Sequence, residues 1–346
     1  MKTSPLMSGL TRLNRELRAI WMLLFVCLIL FIATPLFLTG DNLLNVLLAA
    51  SVTALLAAGQ TYVIILAEID LSVGAVLGIS SIVTAFVLQD QPLVVGLLAG
   101  WGVGAAAGLV NGLLVTKLRM PSFIATLAMM SVLAGLTLQL SQGNPVSIND
   151  DGFLAIGQSR LLGVPNPVWI MLAAFVVFGL ILARSRYGRH VYAVGDNADA
   201  ARLAGIQVHR VKILAFVISG LLSATAGFIL AARLGTAQPT AGSGLELAAI
   251  AAVIIGGTSL AGGRGALAGT LIGALLLGVI DNGLNLLDVS PFLQGVVKGL
   301  VILLAIFLDR NSDRVQALVR LVRNTRGPGS GAPADTAPLT TTGGTP

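Results

Sequence analysis

Residues 184–212 read RSRYGRHVYAVGDNADAARLAGIQVHRVK, a polar island in a chain that is otherwise largely hydrocarbon-soluble. Six of these residues are Lys or Arg, and the interior run 196–206 has the grammar of one short helix. Asp196 and Asn197 are placed to cap its N-terminus, residues 198–203 to propagate it, and Gly205 to stop it. Isolated helices shorter than about 12–15 residues are marginal in water. This one must therefore pack against something, and the expected partner is a soluble protein.

Around the island, hydrophobic residues make up 55% of the chain and charged residues only 10%, with a mean hydropathy of +0.91. Soluble domains carry about 25% charged residues, so the composition is that of an integral membrane protein. The single cysteine, Cys27, lies inside the first apolar run and excludes a disulfide framework or a cysteine metal cluster. The net charge of +6 follows the membrane segments, and the basic stretches carry few aromatics, so nucleic acid is not an expected partner.

Apolar runs near the ~20 residues needed to cross the bilayer, or somewhat shorter, occur at 20–38, 43–66, 71–88, 92–115, 121–140, 168–183, 213–232, 245–258, 266–280 and 291–308. The expected fold class is an all-α polytopic membrane protein of about ten transmembrane helices with cytoplasmic N- and C-termini. Its parts are a cytoplasmic segment 1–19, a ten-helix transmembrane domain 20–308 with the island 184–212 on its cytoplasmic side, and a cytoplasmic segment 309–346. The positive-inside rule supports that count. With a cytoplasmic N-terminus, all 21 basic residues except Arg160, Arg233 and Lys298 fall inside. The first run follows a basic segment, as in a signal peptide, but it is long and lacks a small-x-small cleavage site, so it reads as retained. Beyond 308, Val315, Leu318, Val319 and Val322 fall at helical spacing beside Arg314, Arg320 and Arg323, as in a helix lying on an anionic leaflet. After Gly327 the Gly/Pro/Thr-rich tail reads as disordered. The outward stretches 141–167, with Asp150 and Asp151, and 233–244 are turn-rich. They read as solvated loops or as surfaces for an external protein.

Polar groups inside spans are costly and are functional candidates, the ordinary alternative being an interhelical hydrogen bond. Glu68 and Asp70 interrupt the apolar sequence at AEIDLSVG, residues 67–74, where Asp70 either caps the helix that follows or joins Ser72 on a solute path. Asn111, Glu246, Asn282 and Asn285 are the other path candidates. Lys298 sits within the last span, where an unpaired ammonium costs about 2.5–3.5 kcal/mol on insertion scales. Its expected relief is Glu246, Asp288 or the lipid headgroups. Polar residues spread over several helices suit a neutral, hydroxyl-rich solute.

A glycine-rich break, GGTSLAGGRG at 256–265, occupies the same topological position as AEIDLSVG, and each follows a Val-Ile-Ile triplet, 63–65 and 253–255. The match hints at a repeat and is too short to establish one. Close helix packing is the expected use of these glycines. None of the lysines, at 2, 117, 212 and 298, ends a GxxxxGK[ST] loop, so any ATP chemistry belongs to another chain.

Three stretches together resemble one family: AEIDLSVGAVLG, the island run YGRHVYAVGDNADAARLAGI, and QPTAGSGLELAAIAAVIIGGTSLAGGRGALAGTLIGALLLGVIDNGLNLL. They are similar to the membrane permease subunits of bacterial monosaccharide ABC importers, with the ribose permeases nearest, over roughly 20–310. The resemblance implies a ten-helix homodimer in the inner membrane, an ATP-binding subunit with two nucleotide-binding domains, and an extracytoplasmic sugar-binding protein. No cofactor sits on this chain in such a system, ATP and Mg being held by the partner. The resemblance also casts Asp196, Asn197, Ala200, Ala201, Arg202, Leu203, Gly205 and Ile206 as the element that couples to the ATPase. Two departures stand out. Family members commonly carry two small residues, often Gly-Gly, at Ala67-Glu68, and an Asp at Ala248. The sugar itself is left open, since related permeases carry ribose, xylose, arabinose, galactose, polyols or a furanosyl signalling molecule.

The alternative class is an ion-coupled secondary transporter with Glu68, Asp70, Glu246 and Lys298 as its relay. A membrane-embedded enzyme is disfavoured, because neither His190 nor His209 lies in a span and no spaced nucleophile and base occur.

Overall fold

The computed structural model describes residues 5–310. The chain runs through α1 (Pro5–Ala33), α2 (Gly40–Ile65), α3 (Val73–Val87), α4 (Leu93–Thr116) and α5 (Ser122–Ser141). Then come β1 (Val146–Ser147), α6 (Asp151–Gln158), β2 (Arg160–Leu161), β3 (Val164–Pro165), α7 (Asn166–Arg184), α8 (Arg186–Asp196) and α9 (Ala198–Leu203). It closes with α10 (Val208–Leu234), β4 (Thr236–Ala237), α11 (Leu245–Ile255), α12 (Leu267–Leu286) and α13 (Pro291–Arg310). Helices α2, α4, α5, α7, α10 and α12, of 19 to 27 residues, are long and apolar enough to cross a membrane. Shorter apolar helical stretches are Ala19–Ala33, α3, α11 and Phe292–Val301. Apart from residues 309 and 310, the expected C-terminal amphipathic segment and tail lie outside the described residues, as do residues 1–4.

The packing centres on α10, which lies against α2, α3 and α4. Its contact with α4 is a glycine seam. Gly100, Gly104, Gly108 and Gly112 recur every fourth residue and therefore share one helix face. A Cβ at Gly104 would overlap the backbone oxygen of Gly220, and one at Gly108 the backbone oxygen of Phe216. Helices in lipid associate through such close approach, since burying apolar area gives little when the solvent is itself hydrocarbon. Phe216, Ala224 and Phe228 on α10 are fully buried as a result.

Three stretches depart from the sequence expectation. First, 141–167 is not an open loop. Asp150 caps α6 by accepting a hydrogen bond from the Phe153 amide at 2.7 Å, Phe153 is buried against Phe228, and Gly157 lies on the backbone of Ala232 and Arg233. Second, 233–244 is anchored to the bundle rather than a free loop. Thr236 and Ala237 pair with Ser147 and Val146, and the chain then descends along α3 until Gly242 meets Gly74. Third, the run expected as a span over 245–258 is helical only over Leu245–Ile255. At 1.5 Å per residue that is about 16 Å, half of the hydrocarbon thickness.

The seam yields a matched pair of variants. Gly104→Val should cost more than about 3 kcal/mol or prevent folding, because backbone rather than a movable side chain blocks the added methyls. Gly102→Val, which meets open space, should change stability by less than about 0.5 kcal/mol. Thermal unfolding of the detergent-solubilised proteins measures both.

Candidate functional site

The polar island is built as two helices rather than the one expected. In α8, Ser185 caps the start by accepting from the Gly188 amide at 3.0 Å. Gly188, Val191, Val194 and Gly195 form its buried face. That spacing of three and four residues was the signal available in the sequence. Asp196 is the last residue of α8 and does not cap the next helix. Asn197 alone does so, its Oδ1 accepting from the amides of Asp199 at 3.0 Å and Ala200 at 2.9 Å. Helix α9 closes with the Gly205 amide donating to Arg202 O and the Ile206 amide to Ala201 O, both at 3.0 Å. Gly205 has φ +83°. This is the Schellman arrangement, in which a left-handed residue satisfies the last carbonyls. Ala201 is buried, Ala200 and Arg202 are exposed, and Leu203 is 92% exposed. Arg202 reaches back to Asp199 in an exposed pair at 3.1 Å.

All three tyrosines of the chain fasten the island to the bundle. Tyr187 stacks on Tyr62, with ring centroids 6.1 Å apart, and donates to Val211 O at 3.2 Å. Burial, with Tyr62 beside it, pushes the Tyr187 pKa up. Tyr192 donates to Gly265 O at 2.9 Å, and Tyr62 to Phe178 O.

Beside α8, two further helix ends converge. Helix α2 stops with the Ala67 amide on Ile64 O at 2.9 Å and the Glu68 amide on Val63 O at 3.1 Å. Helix α11 stops with the Gly257 amide on Ile254 O at 2.9 Å and the Thr258 amide on Val253 O at 3.1 Å. The two Val-Ile-Ile triplets thus end in the same Schellman cap, with Ala67 (φ 57°) standing where the second copy has Gly257 (φ 89°). One hydrogen bond joins the two turns, from the Gly263 amide to Ile65 O at 2.8 Å. Gly195 packs directly over that same oxygen, leaving no room for a Cβ, and Gly262 faces Gly195 O in turn. Close packing is the use these glycines have. An ion pair completes the junction, Lys212 donating to Glu68, with side chains 19% and 13% exposed. The carboxylate that departs from the family pattern is thereby tied to the end of the island.

The other path candidates divide among separate places. Only Asp70, Ser72 and Asn111 come together, in a buried cluster with Ser219 and Gln60. Asp70 Oδ1 accepts from the Ser72 amide at 3.0 Å and the Ser72 hydroxyl at 2.7 Å. Its Oδ2 accepts from Ser219 at 3.0 Å. Asn111 donates to Ser72 Oγ at 2.8 Å, and the Gln60 amide, oriented to suit both, bonds the Asp70 backbone. Asp70 therefore caps the turn into α3. Asn282 exchanges two hydrogen bonds with Asn42, at 2.8 and 3.0 Å. Asn285 accepts from Gln294 at 2.9 Å. Both asparagines belong to α12, which continues six residues past the expected end of that span. Lys298 pairs with Asp281 at 3.0 Å, not with Glu246 or Asp288. Asp281 stands one residue beyond the apolar run 266–280, where a carboxylate reads as solvated. With Ala49, Thr53, Ala248 and Leu277 this pair lines a cavity of about 40 Å³. Glu246 accepts from the Gly244 amide at 3.2 Å. The four groups read as an ion relay thus sit apart, each with its own partner.

A bundle of long apolar helices carrying one docked polar island defines a multi-pass α-helical membrane protein. Over residues 42–306 the chain matches the family described as branched-chain amino acid transport system / permease component, and it belongs to that family. It is 47% identical over 303 residues to the ribose import permease protein RbsC of Escherichia coli (strain K12), covering 86% of this chain and 94% of that one. The RbsC of Bacillus subtilis (strain 168) is 46% identical over 321 residues, 90% of this chain and 100% of that one. The L-arabinose transport system permease protein AraH of E. coli (strain K12) is 40% identical over 302 residues, 86% and 92% of the two chains.

The Glu68–Lys212 pair predicts a double-mutant cycle. Lys212→Met strands a largely buried carboxylate and should cost about 2 kcal/mol, as should Glu68→Gln, whereas the double variant should recover at least ~1 kcal/mol of the summed loss. Thermal unfolding of the four proteins reads the coupling. Strict additivity would show that the pair contributes nothing.

Proposed function

We propose that this chain is the membrane-spanning permease subunit of an ABC importer that takes up a ribose-like monosaccharide, and that α9 is the element docking into its ATPase. The observation that carries the docking is Leu203. On a six-residue helix closed by Asn197 and Gly205, a leucine 92% exposed is an apolar contact awaiting a groove, while Ala201 on the opposite side holds the helix to the bundle. Asp199, Ala200 and Arg202 frame it. The names of the relatives, ribose and arabinose permeases, support the substrate class.

In this reading the chain crosses the membrane ten times with both termini cytoplasmic, the eighth crossing being completed by 236–244 ahead of α11. That topology puts the island, the two capped turns and Arg264 on the side of ATP. In the inner membrane of the cell the functional assembly pairs two copies of the chain with an ATP-binding subunit carrying two nucleotide-binding domains, and it receives sugar from an extracytoplasmic binding protein. ATP and Mg are held by the partner; the permease supplies a path whose access alternates.

Reconstitution in liposomes tests it. Sugar uptake should require ATP, the ATPase and the binding protein together; uptake by this chain alone on a proton or sodium gradient would establish a secondary carrier instead. Leu203→Asp should release the ATPase in pull-down while leaving thermal stability within about 0.5 kcal/mol, as expected of an exposed site. Gly205→Val, strained by about 1–3 kcal/mol at its positive φ, should uncouple hydrolysis from uptake.

A further inference from the structure

The chain between β4 and α11 enters the bundle without helical structure. Pro239 O lies 3.4 Å from the Cβ position of Gly78, and one helical turn below it Gly242 and Gly74 meet backbone to backbone. The depth of that meeting follows from α10. Asp70 bonds Ser219 and Leu77 lies on Gly227, so Gly74, between them, stands level with the middle of Val208–Leu234. Its backbone hydrogen bonds are those of turns, from the amides of Ala241, Ser243 and Leu245 to the carbonyls of Gln238, Thr240 and Gly242, at 3.1–3.2 Å. Thr240, Ser243 and Gly244 are exposed.

Backbone of this kind does not face lipid, because hydrocarbon offers its open N–H and C=O groups no partner. Irregular structure at membrane depth occurs only where protein buries it or water bathes it. Within this subunit it is covered only in part: Gly242 is buried, while Thr240, Ser243 and Gly244 stay exposed. We propose that residues 238–246 form the wall of the solute path at the middle of the membrane, with the hydroxyls of Thr240 and Ser243 and the carboxylate of Glu246 as its polar groups. The Gly244 amide fixes one oxygen of Glu246. A carboxylate is an acceptor only, and the two hydroxyls both donate and accept. Together they match a neutral solute rich in hydroxyls. The choice of solute rests on the monosaccharide reading above; the location of the path does not.

Cysteine labelling in the assembled importer, in membranes, tests the path. Cys27, the only native cysteine, is replaced by serine, and Ser243→Cys, Thr240→Cys and Val176→Cys are introduced singly. Val176 is 60% exposed on the regular helix α7 and serves as the dry control. A small cationic methanethiosulfonate should modify Ser243→Cys and Thr240→Cys at least about tenfold faster than Val176→Cys, block uptake, and lose its effect on reduction. Modification of both at the control rate in an importer that takes up ribose would overturn the path and leave the substrate reading intact, showing a dry contact with the second copy. Fast modification in an importer that ignores every monosaccharide would uphold the path and overturn the substrate reading.

Discussion

The structure turns on one backbone oxygen. Ile65 O, the last carbonyl of α2, accepts the Gly263 amide at 2.8 Å and lies directly under Gly195. The final carbonyls of a helix have no partner within its regular hydrogen-bond ladder. Here one of them binds the α11–α12 turn and seats α8 at the same time, so three segments far apart in sequence meet through backbone. Contacts between backbones have no flexible side chains to absorb displacement. In the proposed coupling, a push on α9 would reach the ends of both α2 and α11, and α11 is the helix that follows the non-helical segment 238–244.

Around that point the polar groups serve assembly. The Tyr62–Tyr187 stack, the Glu68–Lys212 pair and the Tyr192–Gly265 bond tie the island down, while Asp70 accepts hydrogen bonds from two hydroxyls and an amide. The reciprocal Asn42–Asn282 amides and the Asp281–Lys298 pair do the same at other helix ends. Interhelical hydrogen bonds of this sort are the ordinary use of polar residues in membranes. The proposed path accordingly rests on the hydroxyls of Thr240 and Ser243 and on Glu246, rather than on Asp70 or Glu68.

What could be read from the sequence was what local chemistry dictates. Asn197 and Gly205 mark the ends of α9 because capping and positive φ are decided within a few residues, and the twin Val-Ile-Ile triplets do end in matching caps. Helix α8 was legible in the spacing of Gly188, Val191, Val194 and Gly195, but the charges between them masked it. The partners of Glu68 and Lys298 were not legible. Lys212 lies 144 residues from Glu68, and Asp281 is one of several carboxylates near the end of a span, so tertiary geometry alone selects them. The descent of 236–244 was hidden for another reason. Gly, Pro, Ser and Thr favour turns both in water and inside a protein, and only the glycine contacts with α3 tell the two apart.

The central claim, that Ile65, Gly195 and Gly263 make one mechanical unit, is tested most directly by hydrogen-exchange mass spectrometry of Gly195→Ala in lipid nanodiscs. A methyl group there collides with Ile65 O. The account predicts that protection falls together in three separated peptides, covering 65–72, 196–206 and 259–265, while α4 is unchanged. Loss of protection confined to the island would contradict it.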